Sequence, residues 1–245
     1  MKKSLFDFIE LYKTCPIKDN EGGMKLPHLV AFYHYLKTLK PSLVIESGIW
    51  KGQGTWLIKK VLPNAQIISF DIQFQTLNHV VESANYVNED LSKFDWDLFF
   101  KDNAQFKKED ILLFLDDHVD FNERLNFFAN NDYFGHIIYE DNYPCDQGDC
   151  ISPKKILEGN NVILDKDGIR KSVMIEPHVK EQFRAFVKHY EEFPPVCGFE
   201  KTRWGTSMSD YNTPKPICDN AGELPQNLFS ELKLYTWICY MKTYC

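Results

Sequence analysis

The chain has no run of the roughly 18 consecutive apolar residues that a membrane span needs, and Met1-Lys2-Lys3-Ser4 is not followed by an apolar stretch long enough for a signal peptide. Membrane partners are therefore not expected. It has no excess of positive charge either. With 28 basic and 35 acidic residues its net charge is −7, the wrong sign for a protein that grips a phosphate backbone, so nucleic acid is not the expected partner. Internal repeats, low-complexity tracts and Pro/Ser-rich linkers are lacking, which argues for one domain over residues 1–245. Its 7 cysteines lack metal-knuckle spacing, because the one close pair, Cys145 and Cys150, is not C-x2-C. Free thiols in a reducing, cytoplasmic compartment are the expectation.

What is present is an average globular composition, 44% hydrophobic and 26% charged, with aromatics high at 15%. Leu5, Phe8, Ile9 and Tyr12 share one helical face, and Leu29, Phe32, Leu36 and Leu39 another. Asp19 to Gly23 is a turn between them. These N-terminal helices (1–40) are suited to cover a crevice or to pair two subunits in a homo-oligomer.

From residue 41 the pattern changes. Leu43-Val44-Ile45 is a short apolar run ending in Glu46-Ser47-Gly48, a helix follows from Thr55 to Leu62, and Ile67 to Phe70 reads as a second strand ending at Asp71. That is a βαβ unit of a parallel sheet. Further strands are expected at Leu98-Phe99-Phe100, at Ile111 to Leu115 and at His136 to Tyr139. Helices are expected at Asn122 to Ala129, at Pro153 to Leu157 with Ser152 as cap, and at Val179 to Tyr190. Val196 to Phe199 and Leu234 to Met241 are candidates for a closing antiparallel pair. The fold class is α/β: a Rossmann-like, mostly parallel sheet of about seven strands, helices on both faces, an antiparallel C-terminal strand.

Five of these apolar runs end in acids: Glu46, Asp71, Asp102, Asp116-Asp117 and Glu140-Asp141. In a parallel sheet the carboxyl ends lie along one edge, where ligands bind. The first turn, Glu46-Ser47-Gly48-Ile49-Trp50-Lys51-Gly52-Gln53-Gly54-Thr55, is spaced G-x-x-x-G-x-G and so fails the G-x-G-x-x-G dinucleotide pattern. Its glycines permit close backbone approach to a ligand. An acid before the first glycine would repel a pyrophosphate but accept hydrogen bonds from an ammonium. Asp71 is suited to take both hydroxyls of a ribose.

Glu46-x-Gly48-x-x-x-Gly52 with Asp71 resembles motif I and the ribose acid of class I S-adenosylmethionine-dependent methyltransferases. The resemblance implies that Glu46, Gly48, Gly52 and Thr55 border the methionine end of the cofactor, Asp71 the ribose and Asp102 the adenine.

Phe114 to His118 and Ile137 to Asn142 put oxygen donors at two adjacent strand ends, where a hard divalent cation such as Mg²⁺ could bind an acceptor's hydroxyls and lower their pKa. This resembles the catechol-type O-methyltransferases, and on that pattern the ligands are Asp116, Asp141 and Asn142. It also looks like the macrocin O-methyltransferase and cephalosporin-hydroxylase-like group. On that pattern Glu140 and Asp141 take the metal, and His118 becomes the general base. The sequence departs from both. The catechol-type lysine falls at Val119, and the second group's aspartate falls at Leu115, so Asp116, with Asp117 beside it, has shifted or the site differs. Asp116 and His118 are the candidate catalytic residues.

The function so implied is methyl transfer from S-adenosylmethionine to an oxygen of a small-molecule acceptor of sugar or polyol type, with Mg²⁺ or another divalent cation assisting. The alternatives are another metal-dependent enzyme and a non-catalytic nucleotide-binding or scaffold protein on the same fold. Asp146 and Asp149, in the irregular stretch after the fifth strand, are candidates to face a cationic or hydroxyl-rich acceptor, and Trp50 is a candidate either to cover the cofactor or acceptor or to pack in the core. Residues 203–222 are a second candidate border of the pocket.

Overall fold

The computed structural model describes residues 1–159, 162–164, 170–198, 201–202, 206–235 and 237–244. Its centre is a seven-stranded sheet in the order β3-β2-β1-β4-β5-β9-β8. The strands are β1 (Leu43–Ser47), β2 (Gln66–Phe70), β3 (Ala84–Val87), β4 (Ile111–Leu115), β5 (His136–Tyr139), β8 (Val187–Glu192) and β9 (Cys239–Thr243). β1 to β5 run parallel, and β9 and β8 close the sheet antiparallel. A separate hairpin joins β6 (Val162–Leu164) to β7 (Arg170–Ser172).

Side chains alternate along each strand and so divide the core into two layers. Val44, Ile67, Leu112, Phe114 and Ile138 face one layer, shared with the helices α1 (Lys2–Tyr12), α2 (Leu26–Leu39), α3 (Gln53–Val61) and α8 (Gln226–Leu232). Leu43, Ile45, Ile68, Leu113, Ile137 and Met241 face the other, under α4 (Trp96–Asp102), α5 (Phe121–Phe128), α6 (Pro153–Glu158) and α7 (Pro177–Phe186). Full burial of β1 and β4 explains why both read as unbroken apolar runs. The helix α2, read from Leu29, Phe32 and Leu36, lies directly on the sheet. Its Phe32 ring stacks on Phe114 of β4 with centroids 4.0 Å apart.

Three sequence expectations need correction. Leu98-Phe99-Phe100 is not a strand but part of α4, which Asp95 caps by accepting from Leu98 N at 2.9 Å. The third strand is instead Ala84–Val87, an edge strand only half-buried and without an apolar run to announce it. The helix expected from Val179 to Tyr190 ends at Phe186, and Val187 onward pairs with β9. The closing pair is therefore β8 with β9, whereas Cys197 makes only an isolated bridge to Cys218 and Phe199 lies outside the described residues. No described helix is long and apolar enough to cross a membrane.

Candidate active site

Ser47, Phe70, Val87, Leu115 and Tyr139, the last residues of the five parallel strands, are successive register partners. The strands thus end along one line. Strand order runs outward in opposite directions from β1 and β4, so the crevice of an open α/β sheet belongs between these two. A cleft of about 280 Å³ lies there, walled by Gly48, Trp50, Asp71, Asp90, Asp116 and His118, with Gly22 and Gly23 on its N-terminal side.

Gly48 has φ +93°, and a Cβ there would stand 1.8 Å from the Asp116 carbonyl oxygen. Only glycine allows the ends of β1 and β4 to approach this closely. Asp71 fixes the rest of the turn: its Oδ2 accepts from Ile49 N at 2.9 Å and Trp50 N at 3.3 Å, and its Oδ1 from Gln73 N at 3.0 Å. Trp50 leans on the N-terminal turn rather than the core. Its indole Nε1 donates to the Glu21 carbonyl at 3.0 Å, and its ring lies against Gly22 and Gly23. Lys51 Nζ donates to the Asp19 carbonyl and Asn20 Nδ2 to Gln53 Oε1, so the Asp19–Met24 segment is strapped over the glycine turn.

Four residues expected at the cofactor do not line this cleft. Glu46 is fully buried, and its Oε2 accepts from the Thr55 and Ser69 hydroxyls, each at 2.6 Å. Burial, against those two hydrogen bonds, pushes its carboxyl up to about 7. Glu46 and Thr55 therefore brace β1, β2 and α3 beneath the turn. Gly52 abuts the His79 carbonyl. Asp102 is exposed at the end of α4; the acids that follow the true third strand are Glu89 and Asp90, both on the cleft wall.

The second constellation sorts into engaged and available groups. Asp117 is held by Arg124 Nη2 at 2.6 Å, and the same buried guanidinium reaches Asp90 at 3.2 Å. Asn142 accepts from Lys154 N at 3.0 Å and donates to Tyr190 Oη at 2.8 Å, so its amide anchors α6 and β8. Neither is available as the metal ligand the sequence suggested. Glu140 is ion-paired with buried His28 of α2. Asp116 faces the cleft, and burial with the Glu140 and Asp141 carboxyls pushes it well above the usual carboxylate range. Burial and Glu140 push Asp141 up as well.

His118, at φ +54°, points its Nδ1 toward Asp141 Oδ2 at 3.3 Å and Asp149 Oδ1 at 3.5 Å. Asp149 and then Asp141 raise its pKa to about 10. The two carboxylates thus favour the charged form of the ring. Sequence reading had missed Arg124, His28, Glu89 and Asp90. Arg124 and His28 sit inside helices whose periodicity signals only packing.

The walls fit the cofactor that the sequence suggested in one respect: the backbone of Gly48 and the Asp71 carboxylate border the same cleft. The donor set also fits a divalent cation, since Asp116 and Asp141 come together with His118 and the Glu140 carboxyl neighbours both.

No protein-family profile matches the chain, and no curated protein matches it by sequence. Some solved structures are similar to the chain at low identity. One described as cmcI-N160 SAH is 16% identical over 48% of this chain, which spans 62% of that protein's length, with a TM-score of 0.39. The SAH-bound methyltransferase PaMTH1 of Podospora anserina is 8% identical over 99% of this chain and 88% of its own, with a TM-score of 0.45. The 1,6-didemethyltoxoflavin-N1-methyltransferase of Burkholderia thailandensis, with bound 1,6-didemethyltoxoflavin and S-adenosylhomocysteine, is 11% identical over 99% and 85%, with a TM-score of 0.46.

Proposed function

We propose that this chain is an S-adenosylmethionine-dependent O-methyltransferase of the cytoplasm, acting on a small polar acceptor of sugar or polyol type. The observation that carries the reading is the meeting of Gly48, Asp71 and Asp116, far apart along the chain, on the walls of one cleft at the switch in strand order. S-adenosylmethionine would supply an electrophilic methyl group on a sulfonium centre.

Asp71 accepts from three backbone N–H groups and keeps one acceptor site on Oδ1, enough for one ribose hydroxyl. The acid-rich wall of Glu89, Asp90 and Asp116 suits a cationic donor. Asp116, with its proton affinity raised by burial and neighbouring carboxyls, is suited to take the proton of an acceptor hydroxyl. The His118 imidazolium at the rim donates to the acceptor oxygen and orients it. The neighbouring carboxyls support a second version, in which Asp116 and Asp141 would hold a divalent cation with His118. Such an ion would lower the hydroxyl pKa in place of a protein base.

Calorimetric titration of the full chain with S-adenosylmethionine and S-adenosylhomocysteine tests the reading. One-to-one binding of both is expected, followed by S-adenosylhomocysteine release when polyol acceptors are added. No heat and no thermal shift with either ligand overturns it, and binding without turnover favours a scaffold. Loss of turnover in chelator, restored by Mg²⁺, selects the metal-assisted version.

A further inference from the structure

The loop that follows β5 brings a second donor group to His118. His118 Nδ1, Asp149 Oδ1 and Cys150 Sγ all lie within 4.8 Å of one another. Asp149 Oδ1 is 3.5 Å from His118 Nδ1 and 3.6 Å from Cys150 Sγ. A tetrahedral zinc ion, bonded at about 2.0 Å to nitrogen and oxygen and about 2.3 Å to sulfur, holds its donors roughly 3.3 to 3.6 Å apart. The two separations from Asp149 already have about this length.

The geometry points to a zinc-type metal site on His118, Asp149 and Cys150, which shares only His118 with the Asp116–Asp141 group. Its donor chemistry is one imidazole, one thiolate and one carboxylate. Mg²⁺ prefers oxygen alone, whereas zinc and cobalt favour nitrogen and sulfur. The loop is fixed at both sides of the thiol. Buried Lys155 donates its Nζ to the Cys150 carbonyl at 2.7 Å, Ile151 N donates to Asp120 Oδ1 at 2.6 Å, and the Ser152 hydroxyl donates to the Tyr143 carbonyl at 2.6 Å. The thiol is therefore held before any ion arrives, and exposed Asp149 and His118 leave an entry path.

Three protein ligands leave the fourth zinc position open, the arrangement of a Lewis-acid site. His118 also lines the cleft, so the site adjoins it. A role in polarising the acceptor hydroxyl rests on the methyl-transfer reading, but the site itself does not.

The test uses the full chain, stripped with chelator and titrated with Zn²⁺ and with Co²⁺. One equivalent of either metal is expected, and the Co²⁺ form is expected to show a near-ultraviolet thiolate-to-cobalt band. Cys150→Ser should abolish the band. His118→Ala, at an exposed position that spares the core, should weaken zinc by at least about 100-fold, since outer-sphere changes alone cost 10–100-fold. Asp116→Asn should leave the band in place. Failure to bind zinc, or binding with no thiolate band and no loss in either ligand variant, overturns the proposal. A parallel S-adenosylhomocysteine titration in chelator reads the donor site alone, so failure of the zinc site and failure of the methyl-transfer reading are told apart.

Discussion

His28, fully buried in the first turn of α2, is ion-paired with Glu140 at the carboxyl end of β5. The pair ties an N-terminal helix to the rim of the cleft. Burial would raise the Glu140 carboxyl, but the attraction and hydrogen bond of His28, with Asp141 and His118, together outweigh it and hold the group at about 2.

Breaking this pair from one side leaves an uncompensated buried charge, which costs about 3–5 kcal/mol. His28→Ala is expected to lose that much in urea denaturation at neutral pH, and the double change with Glu140→Gln less than the sum of the two singles. Because the folded pKa lies below the unfolded value of about 4.3, the contribution is complete above that pH and fades as pH falls toward about 2. Glu140→Gln should flatten this acid limb. An additive double-mutant cycle would mean that the two groups do not interact.

Glu46 gives the opposite sign. Its folded pKa of about 7 lies above the unfolded value of about 4.3, so its stabilising contribution is full below that value and is lost as pH rises through about 7. Glu46→Gln mimics the protonated carboxyl, keeping an oxygen for the Thr55 and Ser69 hydroxyls. The variant should be more stable than the natural chain at pH above about 8, by a few kcal/mol at most, and should lack the pH slope between the two values. Thermal unfolding across that range checks this; a parallel slope in both proteins would rule it out.

The contrast between β4 and β3 shows how much of the fold was legible in the sequence. Ile111–Leu115 is buried on both faces, so its five apolar residues announced both the strand and the acids after it. Ala84–Val87 is a half-buried edge strand with tyrosine and asparagine in it, and its acids Glu89 and Asp90 went unread while Asp102 of α4 was taken in their place. At the site, Gly48, Asp71 and Asp116 were legible because glycine and carboxylate at strand ends have few purely structural uses. Which carboxylates were already engaged was not. Arg124 on Asp117 and His28 on Glu140 come from helices distant in sequence, and no local pattern announces such pairs.

Two glycines with left-handed φ should respond differently to a methyl group. Gly48→Ala would drive Cβ to within 1.8 Å of the Asp116 carbonyl, a clash between two strand ends that no rotamer relieves. A loss of at least about 3 kcal/mol is expected, together with loss of the cleft's ligand binding. Gly159, at φ +74° after α6, would place its Cβ in open space. Gly159→Ala should therefore cost only the conformational penalty, about 1–2 kcal/mol. Equal losses in chemical denaturation would show that the close approach at Gly48 is not what demands glycine.

Asp71 and Asp102 are both cofactor positions on the sequence reading, and only Asp71 borders the cleft. Asp71→Asn keeps the side chain's shape but turns one carboxylate oxygen into a donor. That amide meets the Ile49 and Trp50 N–H groups or the Gln73 N–H group, all donors themselves, so the turn loses one acceptor and the cleft loses its charge. A charge-assisted hydrogen bond contributes about 1.5–3 kcal/mol, so S-adenosylhomocysteine affinity should fall by roughly 10- to 100-fold. Asp102 is exposed on α4 and away from the cleft wall, and Asp102→Asn should leave affinity within about two-fold of the natural chain, as for other surface changes. Calorimetry on the two variants, with unfolding curves to show that each is folded, decides the matter. If Asp102→Asn weakened the ligand and Asp71→Asn did not, the cleft at the β1–β4 switch would not be where the donor binds.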